Sequence, residues 1–153
     1  MVMDNEQLFF YLDNKLEENT FFVGEFPLCG VLLMNNKLYP WIILVPKCEN
    51  AIEITDITSE QRAQFMEEIA LAEDVMKNTY WPDKMNIASM GNHVEQLHMH
   101  MIARFKTDDI WPQPVWGTQT SPYNDKAKEE TISILRKEFS KVNEFHTIAN
   151  DSY

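Results

Sequence analysis

Seven residues constrain this chain more than any others: Gln96-Leu97-His98-Met99-His100-Met101-Ile102. An amide and two imidazoles fall at every second position, with apolar residues between them. In a strand, a period of two puts alternate side chains on one face. The spacing predicts Gln96, His98, His100 and Ile102 on one face, roughly 7 Å between neighbours at strand rise. Leu97, Met99 and Met101 then face the other way, where they can pack on a core while the first face presents chemistry at a cleft.

The rest of the composition narrows what that cleft serves. At 153 residues the chain is long enough to bury one substantial core. Its formal charge of −11, from 24 acidic and 13 basic residues, repels a phosphate backbone, so no broad nucleic-acid binding is expected. A small anionic ligand remains open where the local site is positive. Cys29 and Cys48 lack the spacing of a zinc or redox motif and read as two reduced thiols. No basic region followed by an apolar run opens the chain, and no apolar run approaches ~18 residues. A cytoplasmic protein with no membrane partner is therefore expected.

Taken in order, the chain predicts a helix over 4–18, capped by Asp4 and striped by Leu8, Leu12 and Leu16. Asn19, Thr20 and Gly24 break it. Apolar runs at 28–34 and 41–45 flank Asn35-Asn36-Lys37 and read as an antiparallel hairpin. A helix follows from Thr58 to Asn78, with a Thr58/Gln61 capping box and Phe65, Ile69, Ala72 and Met76 inward. Glu67, Glu68, Glu73 and Asp74 are expected in solvent. A strand over Lys84–Met90, a tight turn at Gly91-Asn92 and the histidine strand over about 95–104 form a second hairpin. The short turns leave no room for parallel crossovers, so the class is α+β with an antiparallel sheet. The Trp- and Pro-rich segment 108–117 reads as an ordered loop. A last helix starts at Ser121-Pro122, and residues from about 143 fray.

The residues alone leave the chemistry of His98 and His100 open. Satisfied histidines at a sheet edge are one reading. A zinc site is another, although Gln96 is a poor ligand and His93 would have to fold back to supply a third. The remaining reading is covalent catalysis, in which one imidazole attacks phosphorus while an acceptor fixes its other nitrogen. The second imidazole, Asn92 and backbone N–H groups of the turn would then handle the phosphate.

A resemblance bears on this choice. Asn86 through Arg104 resembles the histidine triad (HIT) family of nucleotide hydrolases and transferases, whose signature is His-φ-His-φ-His-φ-φ with φ apolar. Trp41-Ile42-Ile43-Leu44-Val45-Pro46 is similar to the family strand that ends in Val/Ile-x-Pro, and the resemblance covers roughly residues 5–106. It implies a HIT-like α+β domain over 1–106, with a central helix on an antiparallel sheet of about five strands. Residues 107–153, the Trp/Pro loop and a C-terminal helical extension, would pack on that domain. It implies that His98 is the nucleophile attacking the α-phosphate of a nucleotide conjugate or dinucleoside polyphosphate, and that His100 contacts phosphate and leaving group. Gln96 would orient the nucleophile, Asn92 would contact phosphate, and Asn35 falls near the ribose-binding position. Asn86 matches a family Asn, and His93 lies at the mouth of the site. The implied assembly is a homodimer with joined sheets. No resident cofactor is implied, though Mg²⁺ could accompany a polyphosphate substrate.

Two positions depart from the pattern. Gln96 replaces the first histidine, at little cost if that position works through its backbone carbonyl and at a larger one if its side chain tunes His98. Trp41 stands where many members have a histidine, removing a polar partner from the site. A nucleotide-binding protein without turnover is the alternative function. Arg104 could steer phosphate or form a surface ion pair, and Trp111 and Trp116 could stack on a base or pack inward.

Overall fold

The computed structural model describes residues 10–147. A short helix α1 (Asn14–Asn19) leads into β1 (Thr20–Glu25), β2 (Cys29–Met34) and β3 (Trp41–Pro46). A 3₁₀ turn precedes the long helix α2 (Ser59–Tyr80), followed by β4 (Lys84–Ala88), β5 (Met99–Arg104) and α3 (Asp125–Phe139). The five strands form one sheet in the order β1-β2-β3-β5-β4, with every pairing antiparallel. The expectation of an α+β fold with an antiparallel sheet of about five strands thus holds.

The expected hairpin over 28–45 is present, with Cys29 opposite Pro46 and Leu33 opposite Ile42. Thr58 caps α2 through the predicted box with Gln61. Phe65, Ile69, Ala72 and Met76 join Val31, Leu33, Ile42, Leu44, Leu97, Met99 and Met101 in the main core. The period-two reading of the histidine segment is therefore correct. Its apolar face packs under α2 and α3, while Ile102 joins a second cluster with Leu32, Trp41, Ile43 and Val115 on the opposite side of the sheet.

Several expectations fail for identifiable reasons. Of the helix expected over 4–18, residues 10–13 are not helical and a helix starts at Asn14, capped by the Asp13 side chain on Lys15 N–H; the proposed start at Asp4 lies outside the described residues. The helix does end at Asn19 and Thr20, as expected, but the residues that follow, Thr20 to Glu25, form a strand rich in β-branched and aromatic residues where none was expected. Gly24 marks a register shift in it rather than its end. The turn at Gly91-Asn92 is part of a ten-residue connection over 89–98, so His98 stands just before β5. The last helix is capped by Asn124 on Ala127 N–H. Residues 121–123 are instead tied to the β2–β3 turn: Lys37 N–H donates to Ser121 O, and Ser121 and Tyr123 N–H donate to Asn36 and Asn35 Oδ1.

Glu68 is fully buried rather than solvated (0% exposed). Its carboxylate accepts from the N–H groups of Leu28 and Cys29 and from Gln64 Nε2, at 2.7–2.9 Å. The neighbouring Cys29 thiol is pushed well above its ordinary pKa by burial first and then by Glu68. Residues 143–147 do not fray: Phe145 is buried and His146 pairs with Glu25 through two 2.8 Å backbone hydrogen bonds. Among the described residues no helix is long and apolar enough to cross a membrane.

Candidate active site

His98 and His100 lie on the sheet face away from α2, at the N-terminal end of β5. His100 is opposite Ile43 on β3 and Ala88 on β4. The two imidazoles meet edge to face, centroids 4.8 Å apart. Both are nearly closed off from solvent, at 3% exposure for His98 and 6% for His100.

Each ring has one nitrogen fixed. His98 Nδ1 lies 2.6 Å from the Gln96 carbonyl oxygen. A carbonyl only accepts, so Nδ1 carries the proton and Nε2 keeps its lone pair. His100 Nδ1 accepts from the Trp41 indole N–H at 3.0 Å, which places the proton of the neutral ring on Nε2. Burial, and then the charge of His98, push His100 down to about 4, while a backbone hydrogen bond with Met90 pulls the other way. His100 is thus a neutral donor at ordinary pH.

The expectation that Trp41 removes a polar partner is wrong. Trp41 is diagonal to His100 across the β3–β5 ladder and supplies an N–H. Trp116 completes the aromatic wall, its ring edge-on to His100 at 5.4 Å and to Trp41 at 6.1 Å. Its indole N–H is buried with no hydrogen-bond partner among the described residues. Finding Trp41 requires the β3–β5 register, which only the structure supplies. Nothing in the sequence places Trp116.

Gln96 meets His98 through its backbone carbonyl, and its side chain is engaged with the backbone of residues 11–13. Nε2 donates to Tyr11 O at 2.8 Å and Oε1 accepts from Asp13 N–H at 2.9 Å. Asn92 and His93 are exposed on the 89–98 connection, where His93 O also accepts from Lys15 Nζ at 3.4 Å. Asn35 Oδ1 holds Tyr123 N–H, and Asn86 Oδ1 holds Arg104 Nη1. Arg104 is neither a steering charge nor a surface partner. It is 1% exposed, paired with Asp108 at 2.8 Å, and lies between the rings of Tyr39 and Trp111. Among the described residues no three His, Cys, Asp or Glu side chains are grouped to hold a metal ion.

The profile of the HIT domain family matches residues 15–107. The chain belongs to the HIT family. Solved structures of HIT proteins agree across nearly the whole fold. A histidine triad protein from Bradyrhizobium japonicum is 40% identical, with a TM-score of 0.81, covering 85% of this chain and 98% of its own. One from Marinobacter aquaeolei is 37% identical, with a TM-score of 0.84, covering 88% and 98%. One from Sinorhizobium meliloti is 34% identical, with a TM-score of 0.81, covering 84% and 96%. No curated protein matches the chain significantly. HIT membership supports a function of the nucleotide-binding or hydrolase type.

Proposed function

We propose that this HIT protein hydrolyses or transfers at the α-phosphate of a nucleotide conjugate or dinucleoside polyphosphate through a nucleotidyl-His98 intermediate. The observation that carries the reading is the 2.6 Å contact between Gln96 O and His98 Nδ1. It leaves Nε2 as the nucleophilic nitrogen and gives the developing imidazolium a fixed acceptor.

In the first step Nε2 attacks phosphorus, the P–N bond forms, and the bond to the leaving group breaks. The leaving group departs with the bonding electron pair and takes up a proton. Water then attacks phosphorus, the P–N bond breaks, and the nucleoside monophosphate leaves with His98 regenerated. His100, held neutral with its proton on Nε2, turns that N–H from the Met90 backbone to a phosphate or leaving-group oxygen. Asn92 and His93, exposed on the loop before β5, add donors on the open side. Asn35 and Asn86 would have to exchange their present bonds for the substrate. In this reading the protein works in the cytoplasm as a homodimer and holds no cofactor of its own, with Mg²⁺ arriving on a polyphosphate substrate.

The test is intact-protein mass after brief mixing with diadenosine tetraphosphate or adenosine phosphoramidate. An adenylyl adduct is expected on wild type and not on His98→Ala. Binding by calorimetry with neither adduct nor AMP would establish a nucleotide-binding protein without turnover.

A further inference from the structure

The Gln96 side chain does something a histidine there would not. A carboxamide carries a donor and an acceptor side by side. In an extended segment, the C=O of one residue and the N–H of the next but one lie on the same edge. Gln96 engages such a pair, Tyr11 O at 2.8 Å and Asp13 N–H at 2.9 Å, as a short piece of ladder would. The two nitrogens of an imidazole point in diverging directions and do not match two parallel backbone groups.

The segment held in this way walls the face that carries the histidines. Phe10 and Leu12 turn onto the apolar cluster of that face, and Tyr11, between them, is 78% exposed. Beneath the segment is a cavity of about 430 Å³ with a floor of Phe22, Leu32 and Val45. On its other side is a second cavity of about 320 Å³, bordered by Gln96 itself. Phe10 and Tyr11 line both, so the segment is a partition between them. One residue therefore serves two ends: its carbonyl fixes His98 and its side chain fixes the partition.

We propose that Gln96 is a specificity-determining positioning residue. Its carboxamide makes segment 11–13 a wall of the cavity over Phe22, Leu32 and Val45, which receives the part of the substrate beyond the reacting phosphate, acting on how the substrate is held and leaving the chemical step to its backbone carbonyl. This rests on the nucleotidyl-transfer reading of His98. It differs from the view of Gln96 as a decayed catalytic histidine, which places the effect on turnover.

The experiment compares wild type, Gln96→Leu and Gln96→His. The readouts are amide exchange at Asp13, and kcat and KM on adenosine phosphoramidate. Both variants are expected to speed exchange at Asp13 and to raise KM by about tenfold, the loss of one or two neutral hydrogen bonds. A smaller change in kcat is expected, and unchanged protection of β5 amides reports an intact fold. A fall in kcat at constant KM, or a Gln96→His variant faster than wild type, overturns the proposal, as does an Asp13 amide unprotected in wild type. If wild type shows no turnover, the enzymatic reading falls alone. Calorimetry with AMP then decides: weaker binding by the variants supports the wall, and equal binding refutes it.

Discussion

The Trp41 indole N–H donates to His100 Nδ1 at 3.0 Å, with the two rings edge to face at 5.6 Å. A protonated imidazole has no lone pair to accept this bond, so the contact favours neutral His100 in addition to burial. Trp41→Phe keeps an aromatic ring and removes the donor. His100, at about 4 in wild type, is expected to titrate about one pH unit higher, the equivalent of one hydrogen bond to the neutral form. Histidine NMR titration reads both the pKa and the tautomer. An unmoved His100 would refute the role given to Trp41.

The same depressed value makes stability depend on acid. The folded His100 titrates near 4, and the unfolded imidazole near ~6.5. Between those values the unfolded chain binds more protons, so stability rises with pH. The contribution is complete above ~6.5, is lost progressively as pH falls toward about 4, and changes no further below that. Its ceiling is on the order of 3 kcal/mol. Urea midpoints from pH 4 to 8 should follow this course in wild type and flatten in His100→Asn. Equal slopes in the two proteins would show that other groups dominate.

How much of this was legible in the sequence depends on the range of each interaction. Alternation in the histidine segment and the Thr58–Gln61 box are local, and both hold in the structure. The burial of Glu68 is not local, because its partners at Leu28 and Cys29 lie some forty residues away. A helical wheel sees only another acidic residue. Residues 10–13 look helical by spacing and are not helical in the structure, where Gln96, more than eighty positions on, takes the Tyr11 carbonyl and the Asp13 N–H. At the site, the pairing of Gln96 O with His98 is inherent in the motif. The partnership of Trp41 with His100 needs the β3–β5 register, which the sequence does not print.

Glu68 provides a direct test of a buried carboxylate that serves backbone groups. Glu68→Leu fills similar space and leaves the N–H groups of Leu28 and Cys29 without an acceptor. Each of the two orphaned groups costs about 1–3 kcal/mol, so a loss of about 2–6 kcal/mol is expected. Glu68→Gln retains one acceptor oxygen and should lose about half as much. Urea unfolding at pH 7 measures both. A Leu variant within ~1 kcal/mol of wild type would mean that the N–H groups find other partners.

Gly24 tests whether the C-terminal segment is bound into the fold. A Cβ at this position would fall on the ring of Phe145 and within 2.7 Å of the His146 carbonyl oxygen. Neither can give way easily. Phe145 packs on Phe26 at 5.3 Å and on Phe139 at 4.9 Å, and His146 pairs with Glu25 on the β1 edge. Gly24→Ala should therefore displace residues 143–147 and forfeit much of the burial of one phenylalanine, about 2–3 kcal/mol. Phe145→Ala loses the same packing by a different route, so the two changes should not add. In the double variant Gly24→Ala should cost at least ~1 kcal/mol less than it does alone. Strict additivity in the cycle would mean that the methyl is absorbed within β1 and that the segment stays in place.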